Sequence, residues 1–300
     1  LFDIIFMVIK MSLIIGANVK YTKNDGLLGS VKEALSYEAN TFMFYTGPAS
    51  STIRSDINDY LTYEGFKLML ENNINPNNVI VHCPYIINLA NTSDKSKYEF
   101  YINFLTNELE RVKQLGFDKI VLHPGSATSC TKEEAIKNIA FGINAVYKNV
   151  KDVNILLEYM SGKGNEVGST IDELKSIIDL IEEKDRIYVC LDTCHMNDAG
   201  INLKNFDTFM KEFDGKIGIN KIKCVHLNDS MNPVYSHKDR HENIGYGTIG
   251  LDILLNIVYD ERLKDIPFIL ETPYLNRSKK NEEAPYKYEI EMIRNKKFTS

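Results

Sequence analysis

Ile187-Tyr188-Val189-Cys190-Leu191-Asp192-Thr193-Cys194-His195 is an apolar run that stops abruptly in an acid, a hydroxyl, a thiol and an imidazole. The run reads as a buried strand, and the Asn197-Asp198-Ala199-Gly200 that follows reads as a loose connection. A carboxylate and a histidine at the C-terminal end of a strand stand where an α/β barrel presents metal ligands. Taken alone, the segment reads equally well as a strand end with polar caps, because an Asp there can accept from the N–H groups that open the next helix. Asp192 and His195 lie three residues apart, a spacing that suits two neighbouring ions better than one. The strand ends elsewhere in the chain decide between these readings.

The chain has 300 residues, 44% of them hydrophobic, enough for one large domain or two ordinary ones. Residues 1–10 are apolar but lack the basic start and small-residue cleavage site of a secretory signal, and Met11 directly precedes a good first strand. The expectation is an extension over 1–10 outside the fold, with 11–300 forming one domain. A net charge of −6 leaves no basic footprint for nucleic acid. It does not exclude nucleic acid, because bound divalent cations invert the local field of an acidic cleft. The five cysteines are scattered, odd in number and without CxxC spacing, which points to a reducing compartment and no disulfide framework. No stretch is long and apolar enough to span a membrane.

Outward from 187–192, eight β-rich apolar runs appear, at 13–19, 41–46, 79–84, 119–123, 154–158, 187–192, 222–227 and 266–271. None alternates cleanly, as expected of strands buried on both faces of a parallel sheet. Segments of helical period separate them, at 28–39, 60–72, 98–115, 132–150, 171–182, 203–213 and 250–259, with a last helix at 286–296. Thr131-Lys132-Glu133-Glu134 and Ser169-Thr170-Ile171-Asp172-Glu173 carry helix-start signals, and Gly116 stands where a helix should stop. Eight strands alternating with helices predict an α/β fold of the TIM (β/α)8 type. A doubly wound open sheet is disfavoured, because the first strand–helix turn lacks a glycine-rich phosphate loop.

Six consecutive strands end in a potential ligand: His82, His123, Glu158, Asp192 (with His195), His226 and Glu271. The stretch after the seventh strand adds Asp239 and His241, so five of the six histidines fall in this set. One such residue is most simply a polar cap, but six strand ends meeting at one mouth is a ligand array. Mixed His, Asp and Glu without a cysteine cluster suits Zn²⁺, Mn²⁺ or Fe²⁺ at a catalytic site. At about three protein ligands per catalytic ion, nine candidates imply two or three ions. Clustered ions of this kind favour displacement at phosphorus over proton abstraction. Cys83, Cys190 and Cys194 near the mouth read as small buried hydrophobes flanking the ligands.

The motifs are specific. His82-Cys83-Pro84-Tyr85-Ile86-Ile87-Asn88-Leu89, Leu122-His123-Pro124-Gly125-Ser126, Cys190-Leu191-Asp192-Thr193-Cys194-His195, Val225-His226-Leu227-Asn228-Asp229 and Asp239-Arg240-His241, followed by Gly245-Tyr246-Gly247, resemble endonuclease IV. That family comprises the metal-dependent apurinic/apyrimidinic (AP) endonucleases of base excision repair. Gly16-Ala17-Asn18-Val19 and Leu270-Glu271-Thr272 fit as well, so the resemblance runs in order through almost the whole chain. It implies a xylose-isomerase-like TIM barrel with three zinc ions, Mn²⁺ or Fe²⁺ being alternatives at some sites. By position, His82, His123 and Glu158 would hold the first ion. Glu158 would bridge to the second, with Asp192, His226 and Glu271, while His195, Asp239 and His241 would hold the third. The implied reaction is hydrolysis of the phosphodiester 5′ to an abasic site in double-stranded DNA, with Glu158 as the catalytic residue beside the attacking water. The products are a 3′-hydroxyl and a 5′-deoxyribose phosphate, and removal of 3′-blocking groups is implied too. The resemblance further implies a monomer without membrane attachment, working in the cytoplasm at a bacterial nucleoid. Tyr85 and Ile86 match the position that wedges into the base stack and suit insertion there.

The chain departs from the family pattern at Asn18, where a His is usual, at Met231, where a Lys is usual, and at Tyr235, where a Gly is usual. Gly47-Pro48-Ala49-Ser50-Ser51 lacks the Arg that some relatives insert into DNA, and Arg54 is the nearest substitute for that DNA contact. Two other readings compete. A sugar isomerase or epimerase on the same barrel needs fewer ligands and leaves His195, Asp239 and His241 unexplained. A non-catalytic DNA-binding relative has no need of a complete ligand set.

Overall fold

Below the barrel's mouth the strands are mostly apolar on both faces, because one face meets the barrel interior and the other meets a helix. In the computed structural model, which describes residues 13–276 and 282–298, eight parallel strands close into a barrel. They are β1 (Ile15–Val19), β2 (Thr41–Phe44), β3 (Ile80–His82), β4 (Lys119–Leu122), β5 (Asn154–Glu158), β6 (Ile187–Asp192), β7 (Ile222–His226) and β10 (Phe268–Leu270). Each pairs with its sequence neighbour, and β1 pairs with β10 to close the ring. The eight expected strands are all present, shortened by one or two residues at several ends. The expected extension over 1–10 lies outside the described residues.

Helices cover the outside: α1 (Gly26–Ser36), α2 (Asp59–Glu71), α3 (Lys95–Gln114), α4 (Lys132–Asn149), α5 (Ile171–Asp179), α6 (Thr193–Ala199), α7 (Phe206–Lys216), α8 (Leu251–Val258) and α9 (Tyr286–Asn295). Their starts follow local chemistry. Thr131 and Glu134 form a full capping box on α4, and the Thr170 side chain accepts from the Glu173 N–H on α5. Gly116 takes a φ of +80° just past α3, a conformation that only glycine adopts cheaply. Two elements depart from the sequence reading. Asn197-Asp198-Ala199, expected to be loose, forms the last part of the short helix α6, and Gly200 caps it. The stretch between β7 and α8 contains a two-stranded hairpin, β8 (Asp229–Ser230) and β9 (His241–Glu242). No helix among the described residues is long and apolar enough to cross a membrane.

The strand period of two produces stacked layers inside the barrel. Met43, Ile80, Val121, Leu156, Cys190, Cys224 and Ile269 form one buried inner cluster. Two residues further along the same strands stand Tyr45, His82, His123, Glu158, Asp192, His226 and Glu271. The apolar layer is therefore the floor on which the polar layer rests. The alternate strand residues, among them Phe42, Val81, Leu122, Leu157, Leu191, Val225 and Leu270, belong to the larger core beneath the helices.

Candidate metal centre

The barrel brings all nine expected residues together in three sets. Ligand-capable atoms of His82, His123 and Glu158 lie within 4.8 Å of one another. The same holds for Glu158, Asp192, His226 and Glu271, and for His195, Asp239 and His241. Glu158 belongs to the first two sets through different oxygens. Its Oε2 is 3.2 Å from His82 Nε2 and 3.0 Å from His123 Nε2, while its Oε1 is 3.2 Å from His226 Nδ1. Oε1 is also 3.2 Å from His195 Nδ1, which ties the third set to the same carboxylate.

The donor set fits divalent ions. His82, His195 and His241 each direct Nδ1 at a backbone carbonyl, of Cys83, Tyr159 and Glu271 respectively, at 2.6, 3.1 and 3.2 Å. An Nδ1–H donated there leaves Nε2 as the free ligand, the usual outer support of a metal-bound histidine. His241 Nε2 is buried without a hydrogen-bond partner. It stands 3.7 Å from both Asp192 Oδ2 and Asp239 Oδ1. That is too long for a hydrogen bond, yet near the roughly 3.4 Å edge of a tetrahedron with bonds of about 2.1 Å.

Charge inside the cluster is balanced between acids and imidazoles. Burial pushes the Glu158 carboxyl up, but the charges of His123 and His226, with hydrogen bonds from His123 and His195, outweigh it and hold it well below its usual range. Burial likewise opposes charge on His226 and His195. The carboxylates of Glu271 and Glu158 hold His226 high, and those of Asp192, Asp239 and Glu158 hold His195 high. Burial raises the Asp239 carboxyl, but His195, His241 and His123 draw it down to about 2. The pocket thus stabilises positive charge among its carboxylates, and divalent ions would replace the imidazole protons.

Asp192 does two jobs. Its Oδ1 accepts from the His195 N–H and so caps α6, as the bland reading of the segment expected. Its Oδ2 accepts from Asn228 Nδ2 at 2.8 Å and faces His226 and His241. Asn228 Oδ1 in turn accepts the Glu271 N–H at 2.9 Å, so one amide aligns two candidate ligands of the second set.

The third set rests on two buried acids that the sequence reading left unassigned. Asp198 is fully buried. It accepts from Ser230 Oγ at 2.7 Å, from Asn197 Nδ2 at 3.1 Å and from the Asp239 N–H at 2.9 Å. His195 and Asp198 lie on one turn of α6, so this short helix supplies one candidate ligand and aims another. Asp229 gathers the N–H groups of Ser230, Gly245, Gly247, Ile249 and Gly250. A Cβ at Gly247 would sit 2.4 Å from Asp229 Oδ1, which explains the glycine there. Between the hairpin strands, Tyr235, His237 and Asp239 all take positive φ, at 67°, 53° and 58°. That is a costly run for non-glycine residues, held by these hydrogen bonds. The only available signal for Asp198 was its place three residues after His195.

The expected DNA contacts divide. Tyr85 is 55% exposed beside the mouth, and Ile86 is half-buried against the core. Arg54, expected to contact DNA, turns its side chain mostly inward. Its Nε pairs with buried Glu108 at 2.6 Å, and its Nη1 donates to the carbonyls of Ser51 and Ile53. It clamps the loop after β2 and leaves Ile53 exposed at that loop's surface. Asn18 lines a cleft at the mouth with Lys20, Tyr21 and Tyr45, and its Oδ1 is buried without a partner. Met231 and Tyr235 are exposed, with the Tyr235 ring packed against His237 at 4.6 Å between centroids.

A family profile described as a xylose isomerase-like TIM barrel matches residues 31–296. A probable endonuclease 4 of Acholeplasma laidlawii is 48% identical over 289 residues, covering 95% of this chain and 96% of the relative. The crystal structure of endonuclease IV from Thermus thermophilus superposes with a TM-score of 0.78 at 25% identity, covering 94% of this chain and 97% of that one. A D-tagatose 3-epimerase-like protein also superposes, with a TM-score of 0.65 at 19% identity over 94% of this chain and 99% of that one, a likeness of fold alone.

Proposed function

The chain belongs to the endonuclease IV family of xylose isomerase-like TIM barrels, and from that premise we propose that it is a base-excision-repair hydrolase acting at abasic sites in double-stranded DNA. It cuts the phosphodiester 5′ to the lesion, leaving a 3′-hydroxyl and a 5′-deoxyribose phosphate, and it also removes 3′-blocking groups. The observation that carries this reading is the sharing of Glu158 between two ligand sets, with a third set alongside. A sugar epimerase on the same barrel has no use for His195, Asp239 and His241.

The three sets would hold zinc, with Mn²⁺ or Fe²⁺ as alternatives at some sites. When bound, such ions polarise phosphoryl oxygens, make water a nucleophile near neutral pH and neutralise the charge that develops on the leaving oxygen. Glu158 stands at the centre of the cluster, where its carboxylate would join the first two ions and orient the attacking water between them. Asn228 keeps Asp192 and Glu271 in register around that point. The floor of Met43, Ile80, Val121 and Leu156 keeps bulk water from entering from below, which strengthens electrostatic interactions at the mouth. The scissile phosphate must reach this pocket from inside a duplex. Turning a nucleotide outward costs least where its base is missing, because no pairing or stacking of that base is lost. Tyr85, exposed at the rim, fills the gap in the stack, and Ile86 supports it from below. The net charge of −6 fits a duplex ligand once divalent ions invert the field at the mouth. The enzyme acts as a monomer at the nucleoid of a bacterial cytoplasm.

A duplex oligonucleotide with one tetrahydrofuran abasic analogue tests the reading. Metal-replete protein nicks it on the 5′ side and gives no β-elimination product. Absence of any nick overturns the proposal.

A further inference from the structure

The nine candidate ligands leave one group in the barrel unused. Cys190 on β6 and Cys224 on β7 are register partners. Both are fully buried in the layer directly beneath Asp192 and His226. Their sulfurs and a ring nitrogen of His226 all lie within 4.8 Å of one another. The other members of that inner layer are Met43, Ile80, Val121, Leu156 and Ile269, so the thiol pair is its one ionisable spot. The imidazole above is oriented unlike its neighbours. His226 turns Nδ1 to the carboxylates, 3.2 Å from Glu158 and 3.1 Å from Glu271, and leaves Nε2 buried with no hydrogen-bond partner. Three other histidines of the cluster spend their second nitrogen on a backbone carbonyl; this one does not.

We propose that Cys190, Cys224 and His226 form a further binding site for a soft, thiophilic divalent d¹⁰ cation within the floor of the catalytic pocket, sharing His226 with the second ligand set. Two thiolates and an imidazole are the donor set that soft ions select over carboxylate sites. On binding, the two S–H protons pass to solvent. A divalent ion and two thiolates then leave the layer electrically neutral, as a fully buried position requires. Because His226 also faces the second ligand set, an ion below takes hold of the imidazole that the catalytic ion above needs. That coupling rests on the proposed function; the site itself does not.

The probe is Cd²⁺ added to protein stripped of metal with a chelator. Wild-type protein shows a thiolate-to-metal charge-transfer band in the ultraviolet and a cadmium resonance in the sulfur-ligated range. The band is lost in the Cys190→Ala, Cys224→Ala double variant and kept in the Cys83→Ala, Cys130→Ala, Cys194→Ala triple variant. A wild-type spectrum without the band, or a band that follows the triple variant, overturns the site. If a variant fails to fold, the resonance of the unmodified protein decides: a position typical of nitrogen and oxygen ligation alone overturns it. In zinc-loaded protein, Cd²⁺ suppresses nicking, and the double variant needs about tenfold more Cd²⁺ for the same loss. Equal sensitivity overturns the coupling through His226. Absence of nicking before Cd²⁺ is added overturns the nuclease reading and leaves the thiolate site standing.

Discussion

The first two ligand sets and the third are held by different kinds of structure. His82, Glu158, Asp192 and His226 are strand residues, and His123 and Glu271 directly follow theirs. Their spacing is set by barrel register and by the apolar layer two residues below. His195 sits on a short helix, Asp239 on a loop of positive-φ residues and His241 on a two-residue strand. That geometry depends on buried hydrogen bonds to Asp198 and Asp229. A sheet positions side chains by a continuous ladder, whereas a loop needs a polar hub for each turn of the backbone. The third site should therefore be the separable one, easier to empty and easier to tune.

The largest effect strikes at the carboxylate that joins the sets. Glu158→Gln should lower nicking by about a thousandfold while the circular dichroism spectrum stays that of the wild type. Near-wild-type rates would remove Glu158 from the chemistry. Asp239→Ala should remove one of the proposed three ions per chain and lower nicking by about a hundredfold. Loss of all the metal from that variant would break the contrast between strand-held and loop-held sites. Asp198→Asn should weaken only the third ion, by roughly tenfold to a hundredfold in competition with a chelator, because it disturbs the acceptor of the Asp239 N–H. Equal weakening of all three ions would show the loop to be as rigid as the barrel. The smallest change lies outside the metal sets. Tyr85→Ala should weaken binding to abasic duplex by about tenfold, the loss of one stacking contact, with the single-turnover cleavage rate retained.

Most of the fold was legible in the chain because parallel strands buried on both faces write themselves as short apolar runs between helical segments. The place of the candidate ligands was legible for the same reason: a polar residue that ends an apolar run must stand at the barrel's mouth. Residues 193–199 were not legible as a helix because Asn197, Asp198 and Gly200 are turn formers. The cap from Asp192 and the burial of Met196 make a helix there despite that composition. The place of Arg54 was hidden because an arginine in a polar loop has no sequence mark that separates a surface cation from a clamp. Its partner Glu108 is distant in sequence and meets it only in the folded state.

The chain alone was enough for the barrel, for the inward position of six strand ends that carry candidate ligands, and for the family to which the motifs point. Period and punctuation are local, and they survive without knowledge of neighbours. Only the tertiary structure decided which oxygen of Glu158 faces which histidine and that Asp198 aims Asp239. Only it paired the thiols of Cys190 and Cys224 beneath His226. Those relations join residues far apart in the chain, and they exist only once the ring of strands has closed and set its register.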